Sequence, residues 1–362
     1  MRIGVPVEIK NHETRVGLDP ASVAELVGRG HEVLVEEGAG VAAAFADDVY
    51  RQAGAHICGR EQAWAADVVV KVKEPLPEEW GLLGSNTLFT FLHLAANEPL
   101  ARALIDAGTT AYSYDTVQTA DGTLPILAPM SAIAGALAIV AGSHHLLSTV
   151  GGPGVLLGGA PGARAGVVVV IGAGVAGTAA AVQAKGAGAD VVVLDVDEAR
   201  LGRVRTQLEG ISRGTVRTVV STPETVEREC VAANLIVGAV LVPGRPAPHV
   251  LTRALLDRVQ PGTVVVDIAI DQGGCCEASR PTTHDDPVFQ VGNATLYCVA
   301  NMPGAVGATA THALTAASMA YLLPLVDGRD DPALGRGLNV AGGMLRAGAV
   351  AEAFPHLPAQ VL

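Results

Sequence analysis

Val167-Val-Val-Val-Ile-Gly-Ala-Gly-Val-Ala-Gly177, followed by Val191-Val-Val-Leu-Asp195, decides the fold of this chain. An apolar run rich in β-branched residues ends in Gly172, Gly174 and Gly177 in the G-x-G-x-x-G arrangement, and Thr178-Ala-Ala-Ala-Val-Gln-Ala184 then reads as helix. Strand, tight turn and helix follow one another as a dinucleotide requires. Gly172 allows the turn, Gly174 lets a pyrophosphate approach the backbone, and Gly177 lets helix and strand pack closely, so that free N–H groups and the positive helix end face the phosphates. A second apolar strand stops at Asp195, 18 residues beyond Gly177, near where a carboxylate accepts hydrogen bonds from the adenosine ribose hydroxyls. This spacing points to NAD. An acid there repels the 2′-phosphate of NADP, although Arg200, five residues on, could offset part of that repulsion by turning toward the ribose.

Working outward, 362 residues suffice for two domains of roughly 100–200 residues each, and 49% hydrophobic residues suffice for two cores. The excess of 36 acidic over 24 basic residues, a net charge of −12, argues against nucleic acid or an anionic membrane as partner, because phosphate binding needs clustered Lys and Arg. Cys58, Cys230, Cys275, Cys276 and Cys298 are odd in number and match no metal or redox spacing, which reads as reduced thiols in a cytoplasm. The start, Met1-Arg-Ile-Gly-Val-Pro6, lacks the layout of a signal peptide and reads as a first strand. Ile126 to Leu147 is apolar, but Gly, Pro, Ser131, Ser143, His144 and His145 interrupt it, and a buried Ala/Gly-rich helix is expected rather than a membrane span.

The first 125 residues alternate strand-like segments (Ile3–Val7, Glu32–Val35, Val68–Val72, Leu88–Phe91) with helix-like ones (Pro20–Arg29, Pro99–Ala107). That alternation predicts an α/β fold with a parallel sheet covered by helices. A second cycle runs from Val167 through Val191–Leu194, Leu235–Val237 and Val264–Ile268, with a helix over Asp197–Glu209. After Asn301-Met-Pro-Gly304 helices are expected over Ala308–Leu323 and Gly335–Val350, with Pro303 marking the return of the chain to the first domain.

In so acidic a chain, cations in apolar surroundings are the informative positions. Arg15 follows the first strand, and Lys71 and Lys73 follow another at the spacing that points both to one side. An Arg and Lys pair suits a carboxylate substrate, and it equally suits a solvated basic turn. His93 ends a strand where α/β proteins carry active groups, with an ordinary pKa near 6.5 suited to proton transfer; a core histidine bonded to a carbonyl has the same sequence signature. Asp267 and Asp271 emerge at the carboxyl end of a strand in the nucleotide domain, where one could orient the nicotinamide or share a proton with His93, or simply cap the next turn.

Seven blocks in order, Arg15, Lys71-Val-Lys-Glu-Pro75, Phe91-Leu-His-Leu94, Thr116-Val-Gln-Thr-Ala-Asp-Gly122, Ile171-Gly-Ala-Gly-Val-Ala-Gly177, Val266-Asp-Ile-Ala-Ile-Asp-Gln-Gly-Gly274 and Ser279-Arg-Pro-Thr-Thr283, together resemble alanine dehydrogenases over nearly the whole chain. The resemblance implies two Rossmann-like, doubly wound parallel-sheet domains, with a nucleotide domain (128–302) inserted into a discontinuous catalytic domain (1–127 and 303–362). It implies an NAD-dependent enzyme acting on an amino acid and its 2-oxo acid, commonly a hexamer. On this pattern Arg15 and Lys73 hold the substrate carboxylate and carbonyl, with Asn301 beside them, while His93 and Asp271 do acid–base work. Ser131, Gly172, Gly174, Gly177, Asp195, Arg200, Ser221, Asp271 and Asn301 lie around the cofactor, and no metal is implied.

The chain also departs from the pattern. Ala132 and Ala136 stand where relatives usually carry Glu and Arg, and Asp115 stands where Glu is usual. Losing an acid and a base together deletes one ion pair, which can be nearly neutral, or it marks a related dehydrogenase with a different amino-acid substrate. A transhydrogenase-like nucleotide-binding subunit is the other alternative; a nonenzymatic sensor would have no need of Arg15, Lys73, His93 and Asp271 together.

Overall fold

A strand buried on both faces must be apolar at every position, and the Val-rich runs of this chain meet that condition. In the computed structural model, which describes residues 1–240 and 247–361, successive residues of Val167–Ile171 enter different cores. Val168 and Val170 join one that includes Ala180, Ala184, Val204 and Leu208, whereas Val169 and Ile171 join another that includes Val226, Leu251, Leu256 and Ile270. The two-residue side-chain period of a strand thus places helices on both sides of the sheet.

The chain divides into two units, Met1–Met130 with Pro303–Leu362, and Ser131–Met302. The first holds β1 (Arg2–Val5), β2 (Glu32–Glu36), β3 (His56–Cys58), β4 (Val68–Val70), β5 (Thr87–Thr90) and β6 (Thr110–Ser113). The second holds β7 (Val167–Ile171), β8 (Asp190–Asp195), β9 (Thr215–Val220), β10 (Leu235–Gly238), β11 (Thr263–Asp267), β12 (Val288–Val291) and β13 (Ala294–Tyr297). The chain then adds β14 (Leu338–Ala341) and β15 (Met344–Leu345) to the first sheet, whose order is β15-β14-β6-β5-β4-β1-β2-β3. The second sheet runs β12-β13-β11-β10-β7-β8-β9. Both are parallel apart from their β14–β15 and β12 edges, which pair antiparallel.

Two expectations need correction. Gly335–Val350 is not one helix: a short helix Pro332–Arg336 leads into β14, Gly342 (φ 60°) and Gly343 (φ 71°) turn the chain, and β15 returns. Two consecutive glycines with positive φ favour a two-residue hairpin, and that turn preference outweighs the helical spacing of the apolar residues. The apolar segment does form a helix, Leu127–His145, but its most apolar window is only 33% buried. Gly135 faces the Ala176 carbonyl and Gly142 faces Leu235, so small residues let one side pack closely, while Val140 on another side stays 56% exposed.

Candidate active site

In the second unit, β7 is followed by Gly172, whose φ of 109° and whose approach to the Ala239 carbonyl both exclude a side chain: a Cβ would lie 2.4 Å from that oxygen. A Cβ on Gly177 would lie 1.7 Å from the Gly172 carbonyl oxygen, so the helix Val175–Gly186 packs as closely as it does only because residue 177 is glycine. At Gly174, by contrast, a Cβ would meet nothing within 4 Å. Gly174 caps that helix without any side-chain hydrogen bond, so the first-turn amides stand beside an open cradle that fits a pyrophosphate.

Asp195, at the end of β8, is buried and tied to this turn: one oxygen accepts from the Ala173 N–H at 2.6 Å and the other from the Asp197 N–H at 2.9 Å. The Ser221 N–H donates to the Asp195 carbonyl at 2.9 Å, which brings Ser221 to the same strand ends. Arg200 is engaged elsewhere. Its Nε lies 3.5 Å from Asp197, the residue that caps the helix Glu198–Glu209 through the Ala199 and Arg200 amides.

The two acids near β11 separate cleanly. Asp267 is buried and accepts from the amides of Ala269 (3.1 Å), Cys275 (2.9 Å) and Cys276 (3.3 Å) and from the Ser279 hydroxyl (2.5 Å), so it is a structural anchor of the following turn. Asp271, within the turn Ile268–Gln272, is exposed. Burial, reinforced by Asp267, drives the Cys275 thiol far above its usual range; burial lifts Cys276 as well and raises Cys298 to about 11. Asn301 adopts φ 60°, one of four non-glycine residues in the left-handed region among those described, and Ser131 is half-buried on the helix Leu127–His145. Such strain recurs where side chains must be aimed.

The first unit carries the cations, and they have different fates. Lys71 is 1% exposed and sits between Glu8 (3.3 Å) and Glu79 (3.0 Å), with the Trp64 ring 5.5 Å away. Burial works to lower its pKa, but the two carboxylates outweigh this and hold it above the usual lysine value. Burial keeps the Glu8 carboxyl above its ordinary range in spite of Lys71. Lys71 is therefore a structural ion, not a partner of Lys73 in a basic pair. The Lys73 ammonium instead stands 5.9 Å from the centroid of Phe91, while the His93 ring stacks on Phe91 at 5.8 Å with planes 5° apart. One aromatic ring thus connects the ammonium and the imidazole.

Arg15 is buried, with its Nε and Nη2 on the Glu13 carboxylate at 2.7 and 2.5 Å and its Nη1 3.2 Å from the Met130 sulfur. His93 is half-exposed in a left-handed turn (φ 46°, ψ 40°) that leads into the short helix Leu94–Ala96. Glu8, Glu13 and Glu79, which organise this cluster, are absent from the sequence reading. Their contacts with partners two to 63 positions away have no local pattern, and an acid near a strand end reads as solvated surface.

Residues 4–134 match the model of the alanine dehydrogenase/PNT N-terminal domain, and residues 138–348 match that of the C-terminal domain. The chain belongs to the alanine dehydrogenase/PNT family. It is 50% identical over 360 residues to alanine dehydrogenase of Mycobacterium tuberculosis (strain ATCC 25618 / H37Rv), covering 97% of this chain and 96% of that protein. A solved L-alanine dehydrogenase superimposes with a TM-score of 0.92 at 45% identity, covering 98% and 99% of the two chains. A transhydrogenase from Sinorhizobium meliloti follows with a TM-score of 0.83 at 26% identity, covering 96% and 100%. This family member therefore stands much nearer to alanine dehydrogenases than to that transhydrogenase.

Proposed function

We propose that this chain catalyses the reversible, NAD-dependent oxidative deamination of L-alanine: alanine, NAD⁺ and water give pyruvate, ammonium, NADH and a proton. The observation that carries the reading is the Lys73–Phe91–His93 stack, because a cation and a proton-transfer group on one rigid ring are what an imine hydrolysis requires. The open cradle at Gly174 and the carboxylate of Asp195 support NAD as the coenzyme, with Gly172, Gly177, Ser131, Arg200, Ser221, Asp271 and Asn301 around it. NAD, when bound, accepts the hydride from the substrate Cα. Arg15, held by Glu13, binds the substrate carboxylate. His93 takes the proton of the water that adds to the imine, with Asp271 as the second acid–base group, and Lys73 stabilises the negative charge that develops on the carbinolamine oxygen as ammonia leaves and the carbonyl forms.

The test is oxidation of NADH in the presence of ammonium and a panel of 2-oxo acids. Pyruvate is expected to give the highest kcat/KM; another 2-oxo acid exceeding it would reassign the substrate, and hydride exchange between nucleotides with no amino acid would assign a transhydrogenase role. Self-association accompanies this reading: the exposed Val140 (56%), Leu147 (42%) and Leu156 (64%) line one shallow apolar depression in the second unit. A hexamer in solution is the expected assembly, and a monomer in sedimentation equilibrium would refute it. The five cysteines, all free, support residence in a reducing cytoplasm.

A further inference from the structure

Asp115 stands where the resemblance expects a glutamate, and its contacts assign it a task of its own. Its Oδ1 accepts from the backbone N–H groups of Leu92 (3.2 Å) and His93 (3.4 Å) and from the Ser113 hydroxyl. Its Oδ2 lies 3.9 Å from His93 Nδ1. One oxygen therefore holds the backbone in a left-handed turn that non-glycine residues seldom adopt, and the other faces the near nitrogen of the ring. The ring's plane is set independently by Phe91, itself wedged edge-on against Tyr114 at 5.1 Å. Backbone position, ring plane and the edge turned inward are each specified, and Asp115 supplies the first and the last.

We propose that Asp115 is the positioning residue for His93: it turns Nδ1 toward a carboxylate and leaves Nε2, across the ring, as the nitrogen that exchanges protons with substrate. This rests on the assignment of His93 as the proton-transfer group.

The experiment compares Asp115→Asn, Asp115→Glu, His93→Ala and the Asp115→Asn/His93→Ala double variant in full-length enzyme. Asp115→Asn keeps an acceptor oxygen and nearly the same shape but loses the charge; kcat is expected to fall about 10-fold or more, with KM for pyruvate and fluorescence-measured NADH affinity within about twofold of wild type. Asp115→Glu restores the carboxylate and is expected to recover at least about half of the lost rate, whereas in the His93→Ala background Asp115→Asn has no further effect on kcat. Wild-type kcat in Asp115→Asn, equal damage to kcat, KM and NADH affinity, or an additive double variant would each overturn the proposal. If His93→Ala itself turns over normally, the underlying assignment falls instead; an inactive His93→Ala beside a fully active Asp115→Asn removes only the role of Asp115.

Discussion

The strand ends of the two units are built by opposite means. Around β7 and β8 the site is made by omission: Gly172, Gly174 and Gly177 leave room, and a single carboxylate, Asp195, fastens the turn. Around β4 and β5 it is made by accumulation: Glu8, Glu13, Arg15, Lys71 and Glu79 are all buried, and their charges are balanced against one another. A phosphate site needs backbone and space, which glycine provides locally. A site for a small zwitterion needs fixed charges, and burying those requires partners from distant parts of the chain.

Breaking the site made by omission gives the largest expected effect. Gly177→Ala drives a Cβ into the Gly172 carbonyl oxygen at 1.7 Å, a backbone atom that cannot swing aside as a side chain would, so the second unit is expected to lose more than about 4 kcal/mol or fail to fold. Soluble protein with an unchanged thermal midpoint would show that the close approach is not required.

The two lysines test the other construction. Lys73→Met is expected to reduce kcat about 10³-fold, the scale of losing a transition-state charge partner. Lys71→Met strands Glu8 and Glu79 without their cation and is expected to cost about 3–5 kcal/mol of stability. The sign with pH follows from the raised Lys71 value: its contribution is complete below the ordinary lysine pKa of 10.5 and disappears as pH rises through the higher folded value. The stability gap between Lys71→Met and wild type should therefore hold steady from neutral pH to about 9. A gap that closes below pH 9, or Lys73→Met being the less stable of the two, would reverse the assignments.

A smaller effect sharpens the contrast within the glycine turn. Gly174→Ala meets no neighbour, so folding should be unaffected while NADH binds about 10- to 100-fold more weakly because the new methyl fills the cradle. Equal affinity in isothermal titration would put the pyrophosphate elsewhere. The smallest effect concerns the closed pocket around Asp267: with the Cys275, Cys276 and Cys298 thiols pushed up by burial, and Cys230 raised to about 12, a thiol reagent at pH 7.5 should react with at most Cys58 in the native protein and with all five cysteines after denaturation. Rapid reaction of two or more native thiols would mean that this pocket is open.

What the chain's own order of residues determined is whatever depends on near neighbours. Continuous β-branched runs such as Val167–Ile171 read as strands buried on both faces, the three glycines read as a turn into a helix, and together they specify the α/β architecture, since backbone preference and side-chain period act over a few residues. Spacing alone misleads at Gly335–Val350: helical periodicity is legible there, but the Gly342-Gly343 turn and the edge that β6 offers make β14 a strand. Only tertiary structure decided that Lys71 and Lys73, two positions apart, would differ, one enclosed by Glu8 and Glu79 and the other set over Phe91. It likewise decided that Asp267 would anchor a turn and that Asp115 would face His93. Burial converts a charged residue's meaning according to which partners enclose it, and those partners are brought together by the sheet rather than by spacing along the chain.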